Sequence, residues 1–119
     1  MIERTARQRL QDMLDAIEAI EKYAAGKTFD DYGREGILRH AIERNVEIVS
    51  EASRHVPDQL KAPHSEISWR SIADIGNVFR HGYDRVNDRR VWRIVTAELQ
   101  PLKVAVLAMI AEVEREAKG

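Results

Sequence analysis

From Trp69 to Arg93 the chain reads WRSIADIGNVFRHGYDRVNDRRVWR, and the side chains best suited to chemistry are gathered in this stretch. His81 and Tyr83 stand two residues apart with Gly82 between them. Two titratable rings at a predicted helix end invite a chemical reading, since an imidazole gives and takes protons near neutrality. Asn77, Asp74 and Arg70 precede His81 at spacings of four, three and four, which places all four on one stripe of a helix. Ile72, Ile75, Gly76 and Phe79 fall on the other side, the pattern of a face that packs. Residues 80–93 hold five arginines (Arg80, Arg85, Arg89, Arg90, Arg93) against Asp84 and Asp88, a local net charge of +3 that suits an anion. Each feature also has a plain structural account. A charged row is often only a solvated face, a helix-end histidine is favoured by the helix dipole, and a tyrosine packs its ring and bonds its hydroxyl.

The elements that must position this stretch are helical. Residues 4–25 carry Leu10, Met13, Leu14, Ile17, Ile20 and Ala24 on one stripe, and Gly26 stops them. Lys27–Gly33 reads as a connector in which Phe29 and Tyr32 pin the chain to the bundle. A second helix runs from about Arg34 to His55, with Leu38, Ala41, Ile42, Val49, Ala52 and Val56 buried, and Pro57 ends it. Pro57–Ser68 should be irregular, with Ser68 capping the helix that opens at Trp69. Asp88 caps a short helix with Val91, Trp92, Val95 and Leu99. Pro101 then fits the first turn of a last helix whose stripe is Leu102, Val106, Met109, Ile110 and Val113. The expectation is an all-α, antiparallel bundle of four to five helices in a single domain spanning residues 1–119. The run Val91–Val95 is too short and too charged to argue for a strand.

Composition narrows the function classes. The chain has 119 residues, 44% of them hydrophobic, with 19 basic and 20 acidic side chains and a net charge of −1. A globally basic nucleic-acid binder is excluded, so any phosphate-binding surface must be local. Without cysteine there is no disulfide framework, thiolate chemistry or thiol metal site. No apolar run approaches the ~20 residues that span a bilayer, and MIERTARQRL is too polar for a signal peptide. A cytoplasmic location is the expectation. There is no glycine-rich phosphate loop, nucleophile elbow or HExxH pair. His40, Glu43, Glu47 and Glu51 follow a helical row that could in principle hold a metal, but the interleaved Arg39, Arg44 and Arg54 make it a solvated ion-pair face. His55 and His64 are assigned to the surface.

The run Asn77-Val78-Phe79-Arg80-His81-Gly82-Tyr83, N-x-x-x-H-x-Y, resembles the signature of the HEPN superfamily, specifically of HepT-type toxins. AIERNVEIVSEASRHVP at 41–57, Trp69-Arg70 ahead of the motif, and VWRIVTAELQPLKVAV at 91–106 agree in order and spacing. The resemblance implies an all-helical homodimer whose two motif helices form a cleft. It further implies a ribonuclease toxin encoded beside a minimal nucleotidyltransferase antitoxin, which silences the toxin by adding AMP to the motif tyrosine. On that reading His81 is catalytic, Asn77 is its polar motif neighbour and Tyr83 is the modified residue; no metal or other cofactor is needed. Cleavage of RNA without a metal requires a base for the 2′-hydroxyl, an acid for the leaving oxygen and a cation for the phosphate. Histidine suits the first two tasks, and a dimer brings two of them.

One position departs from the pattern. The family motif has an arginine five residues before the histidine, where this chain has Gly76. A planar, permanently charged fork holds a phosphodiester and offsets transition-state charge; glycine does neither. Arg80, beside the histidine, is the expected replacement and is counted with His81 and Asn77 as catalytic. Arg70 on the stripe and Arg85 beyond it are the expected substrate contacts. Three readings follow: an active HepT-like ribonuclease, a dimer without nuclease activity that serves as partner or modification target of a nucleotidyltransferase, and a helical adaptor with no chemistry at the stripe.

Overall fold

A computed structural model describes residues 2–80 and 88–118, with side chains over 5–79 and 88–118. Every regular element among the described residues is helical. The first, α1 (Ile2–Ala24), buries Leu10, Met13, Ile17 and Ile20 of the predicted stripe together with Ala6 and Ala16, while Leu14 and Ala24 are partly buried. Gly26 ends it with a φ of 73°, a left-handed conformation that only glycine adopts without cost.

The connector expected at Lys27–Gly33 contains a helix, α2 (Phe29–Arg34). Its signal is Thr28-x-x-Asp31, a capping box: the Asp31 N–H donates to Thr28 Oγ1 at 3.1 Å and the Thr28 N–H donates to Asp31 Oδ2 at 3.0 Å. Six residues are too few for periodicity to reveal. Tyr32 pins the segment as expected, with no exposed surface. Next comes α3 (Gly36–Ser53), which stops short of the predicted His55. It buries Leu38, Ile42, Val46, Val49 and Ala52, together with Ser50 and Ser53.

Pro57–Ser68 is likewise more ordered than its prolines suggest. Pro57 caps α4 (Asp58–Lys61), and Pro63 sits early in the 3-10 turn Ala62–His64, where a missing N–H costs little. Leu60 and Ile67 anchor this segment in the core. The motif helix, α5 (Trp69–Arg80), then begins as predicted, the Ile72 N–H bonding the Ser68 carbonyl at 3.1 Å.

Beyond the motif the chain forms one unbroken helix rather than two. α6 (Asp88–Arg93) passes through a π-helical turn, Ile94–Glu98, into α7 (Leu99–Lys118). Pro101 explains the wide turn: it cannot donate to the carbonyl of Ala97 and its ring pushes that carbonyl away, so the distortion is taken up just upstream. By length and composition this helix could cross a bilayer, with an 18-residue window of mean hydropathy 1.6, contrary to the expectation of no such run. Here its apolar stripe serves the core instead, Leu99, Leu102, Ala105, Val106, Met109, Ile110 and Val113 all being buried. In mid-helix, Lys103 donates to Glu21 at 2.9 Å, a bond that raises its pKa and ties α7 to α1. Across the bundle the long helices lie in the order α7, α1, α3, α5, so α5 packs against α3.

Candidate active site

The motif helix is held against α3 by a small polar contact. Ser50, fully buried, donates through Oγ to the Ala73 carbonyl at 2.9 Å and accepts from the Gly76 N–H at 3.0 Å. Gly76 is itself buried, so position 76 faces α3 and not solvent. Ile72 and Ile75 enter the core beside it, and Phe79 is partly buried against it, as the packing face requires.

The opposite stripe is turned outward. Arg70 and Asp74 are exposed and Asn77 is half-buried. One turn beyond Ser50, Arg54 caps the end of α3 and its Nη1 donates to Asn77 Oδ1 at 3.1 Å. Sequence reasoning had placed Arg54 in an ion-pair row. Its real neighbour could be found only by knowing that Ser50 meets Gly76, which sets the register of the two helices. Arg70 lines an open cleft with Asp58, Lys61, Ser65 and Trp69. The Lys61 ammonium lies 5.6 Å from the centre of the Trp69 ring, and partial burial lowers its pKa. Trp69 is fixed in turn by its indole N–H, which donates to the His64 carbonyl at 3.1 Å.

His81, Tyr83 and Arg85 lie outside the described residues, as does the Arg80 side chain. The chain on either side of them is firmly attached. Downstream, the Asp88 carboxylate accepts from Arg39 Nη1 at 2.9 Å and also from Nη2, an anchor to α3. Arg39 also pairs with Glu43 at 3.0 Å and lies 5.3 Å from the centre of the Tyr32 ring. The Asp88 bond leads the causes that raise the Arg39 pKa. Tyr32 donates its hydroxyl to Glu43 at 2.8 Å and stacks on Trp92 at 5.5 Å between ring centres. Burial first, and then the Glu43 carboxylate, push the Tyr32 pKa far above the ordinary phenol value. Arg90 Nη2 donates to Ser71 Oγ at 2.9 Å, joining α6 to the start of the motif helix. Arg89 lies 4.9 Å from the Phe29 ring centre. Two arginines and one aspartate of the basic run therefore engage neighbouring parts of the fold, and the +3 counted from sequence overstates what faces a ligand.

The carboxylate row of α3 is similarly engaged. Glu47 pairs with Arg44 at 3.7 Å and Glu51 with His55 Nε2 at 2.9 Å. Among the described residues no group of three histidine, aspartate or glutamate side chains is placed to hold a metal ion.

The sequence family described as ribonuclease HepT-like matches residues 13–109, a span that takes in α3, α5, Arg54 and the whole N-x-x-x-H-x-Y motif. The chain belongs to that family. HepT-like membership assigns it a general ribonuclease-type role. It is 32% identical over 102 residues to a "Probable ribonuclease HepT" of Thermococcus cleftensis, covering 86% of this chain and 93% of the relative. Over 103 residues it is 29% identical to a "Putative RNase" of Caldanaerobacter subterraneus subsp. tengcongensis, covering 87% and 92%. A protein of Methanocaldococcus jannaschii named "Gamma-glutamylcyclotransferase and putative RNase" is 28% identical over 106 residues; the match takes in 89% of this chain but 48% of that longer protein. No solved structure matches the chain significantly.

Proposed function

We propose that this protein is a metal-independent endoribonuclease acting as the toxin of a toxin–antitoxin pair, that it works as a homodimer, and that a minimal nucleotidyltransferase silences it by adding AMP to Tyr83. The observation that carries the reading is the orientation of α5. Its apolar side is buried while Arg70, Asp74 and Asn77 are presented outward, leading toward His81 in a chain of the HepT-like family.

In the reaction, the His81 imidazole takes the proton of a ribose 2′-hydroxyl. The freed oxygen attacks the adjacent phosphorus, and the P–O5′ bond breaks to leave a 2′,3′-cyclic phosphate. A second imidazole, from the partner protomer, gives its proton to the departing 5′-oxygen. Asn77 orients the site, and Arg80, Arg70 and Arg85 supply positive charge along the RNA backbone. Trp69 beside Lys61 offers a flat apolar surface on which an unpaired base can stack, which favours single-stranded substrate. For silencing, the Tyr83 phenolic oxygen attacks the α-phosphorus of ATP and releases pyrophosphate, leaving an anionic nucleotide where the RNA phosphate must bind.

Purified protein should cleave single-stranded RNA in the presence of a chelator, and His81→Ala should abolish cleavage; cutting that persists in the variant overturns the assignment. Incubation with the partner and ATP should add AMP units to wild-type protein and none to Tyr83→Phe, read by intact-mass spectrometry. Sedimentation at micromolar concentration should give twice the mass of one chain. A second reading draws on the burial of Gly76: a dimer without nuclease activity, kept as a nucleotidyltransferase target. It predicts AMP addition to Tyr83 while RNA remains intact.

A further inference from the structure

We infer that Arg54, at the end of α3, is the phosphate-binding cation of the active site and does the work that Gly76 cannot. The inference rests on the ribonuclease reading and goes beyond it by naming the residue that completes the site. Because Gly76 is buried against Ser50, with its N–H on the serine hydroxyl at 3.0 Å, position 76 points at α3. Glycine offers no charge of its own at this buried position. The same close contact brings α3 up to the motif. One turn past Ser50 stands Arg54, and one residue past Gly76 stands Asn77, and the two meet at 3.1 Å. Glycine at 76 and arginine at 54 are thus two parts of one arrangement, in which the cation comes from the neighbouring helix.

The chemistry of the pair fits the task. A guanidinium has five N–H donors in a planar fork. Asn77 engages Nη1 and fixes the plane, leaving N–H groups free to take two oxygens of a phosphodiester at once. Arg54 is exposed, and no carboxylate among the described residues pairs with it. Of the other arginines, Arg70 sits seven residues before Asn77, ~10 Å along the helix axis, and faces the Lys61–Trp69 cleft. Arg39 and Arg90 are committed to Asp88 and Ser71. Arg54 is the guanidinium in contact with the motif among the described side chains.

Single-turnover cleavage of a short single-stranded RNA, in chelator, tests the assignment in the full-length protein. Arg54→Ala should lower kcat by ~100-fold or more, the usual effect of removing a group that stabilises transition-state charge, while KM rises far less. Arg54→Lys should recover part of the rate, and added guanidinium ion should partly rescue Arg54→Ala, neither of which a purely structural role provides. Thermal midpoints should stay within a degree or two, because the side chain is exposed. Arg54→Ala that cleaves within threefold of wild type, with His81→Ala inactive, overturns the assignment and leaves the ribonuclease reading standing. A fall in rate accompanied by an equal loss of fold, without rescue by lysine or guanidinium, also overturns it. Absence of His81-dependent cleavage in the wild type overturns the ribonuclease reading, and the role of Arg54 with it.

Discussion

Residues 81–87 are approached from two attached ends, and the two attachments are built from opposite materials. Upstream, α5 meets α3 through Ser50 and Gly76, small groups that let two backbones come together over hydrogen bonds of 2.9 and 3.0 Å. Downstream, α6 meets α2 and α3 through long side chains: Arg39 between Asp88 and Glu43, and Tyr32 between Glu43 and Trp92. The first junction depends on close approach and neutral hydrogen bonds, whereas the second depends on charge and on aromatic area. The motif is therefore approached on one side by fit and on the other by electrostatics.

The largest effect should come from emptying the aromatic half of the downstream junction. Tyr32→Ala removes a fully buried ring and should destabilise the protein by ~3–5 kcal/mol, as large-to-small core changes do, measured by urea unfolding. A smaller loss would mean that Trp92 and Arg39 close over the space. Next is Gly76→Arg, which forces a long cation into the α3–α5 contact and should cost ~3 kcal/mol by overpacking. If that variant instead keeps its stability and gains nuclease activity, the helices separate more easily than the Ser50 contact implies. The third test separates the two kinds of attachment directly. Arg39→Ala breaks bonds to two carboxylates and should cost ~2 kcal/mol, less in 1 M salt than at low ionic strength. Ser50→Ala should cost ~1–2 kcal/mol with no such salt dependence, since neither partner is charged. Equal salt sensitivity would erase the distinction. The smallest effect belongs to the Asp31 cap of α2. Its carboxyl is held below the usual range, chiefly by the Thr28 N–H. A depressed folded-state pKa gives stability that is complete above the ordinary aspartate pKa and lost as pH falls through the lowered value. Asp31→Asn should flatten that acid limb in pH-dependent melting curves.

Much of the fold could be read from spacing alone. The Leu102–Val113 stripe is buried as predicted, and so is the α1 stripe apart from Leu14 and Ala24, which are partly buried, because periodicity speaks clearly over many turns. The short elements α2, α4 and the 3-10 turn Ala62–His64 escaped, since helices of three to six residues are fixed by caps and tertiary contacts. Thr28-x-x-Asp31 was the one legible trace of α2. The merging of the last two helices also escaped, because Pro101 reads as a beginning when its distortion can be absorbed upstream. At the site, the outward stripe of Arg70, Asp74 and Asn77 followed from spacing on α5. The partnership of Arg54 with Asn77 did not, being set by how two distant segments of chain come into register.

The wide turn at Ile94–Glu98 has one more implication. An extra residue within a turn rotates everything downstream by ~100° relative to an unbroken α-helix. The front of this rod can thus aim Asp88 and Arg90 at the motif's surroundings while its rear packs against α1. Deleting a single residue there would restore a straight screw and force a choice between the two, so that this small irregularity acts as the gearing between scaffold and business end.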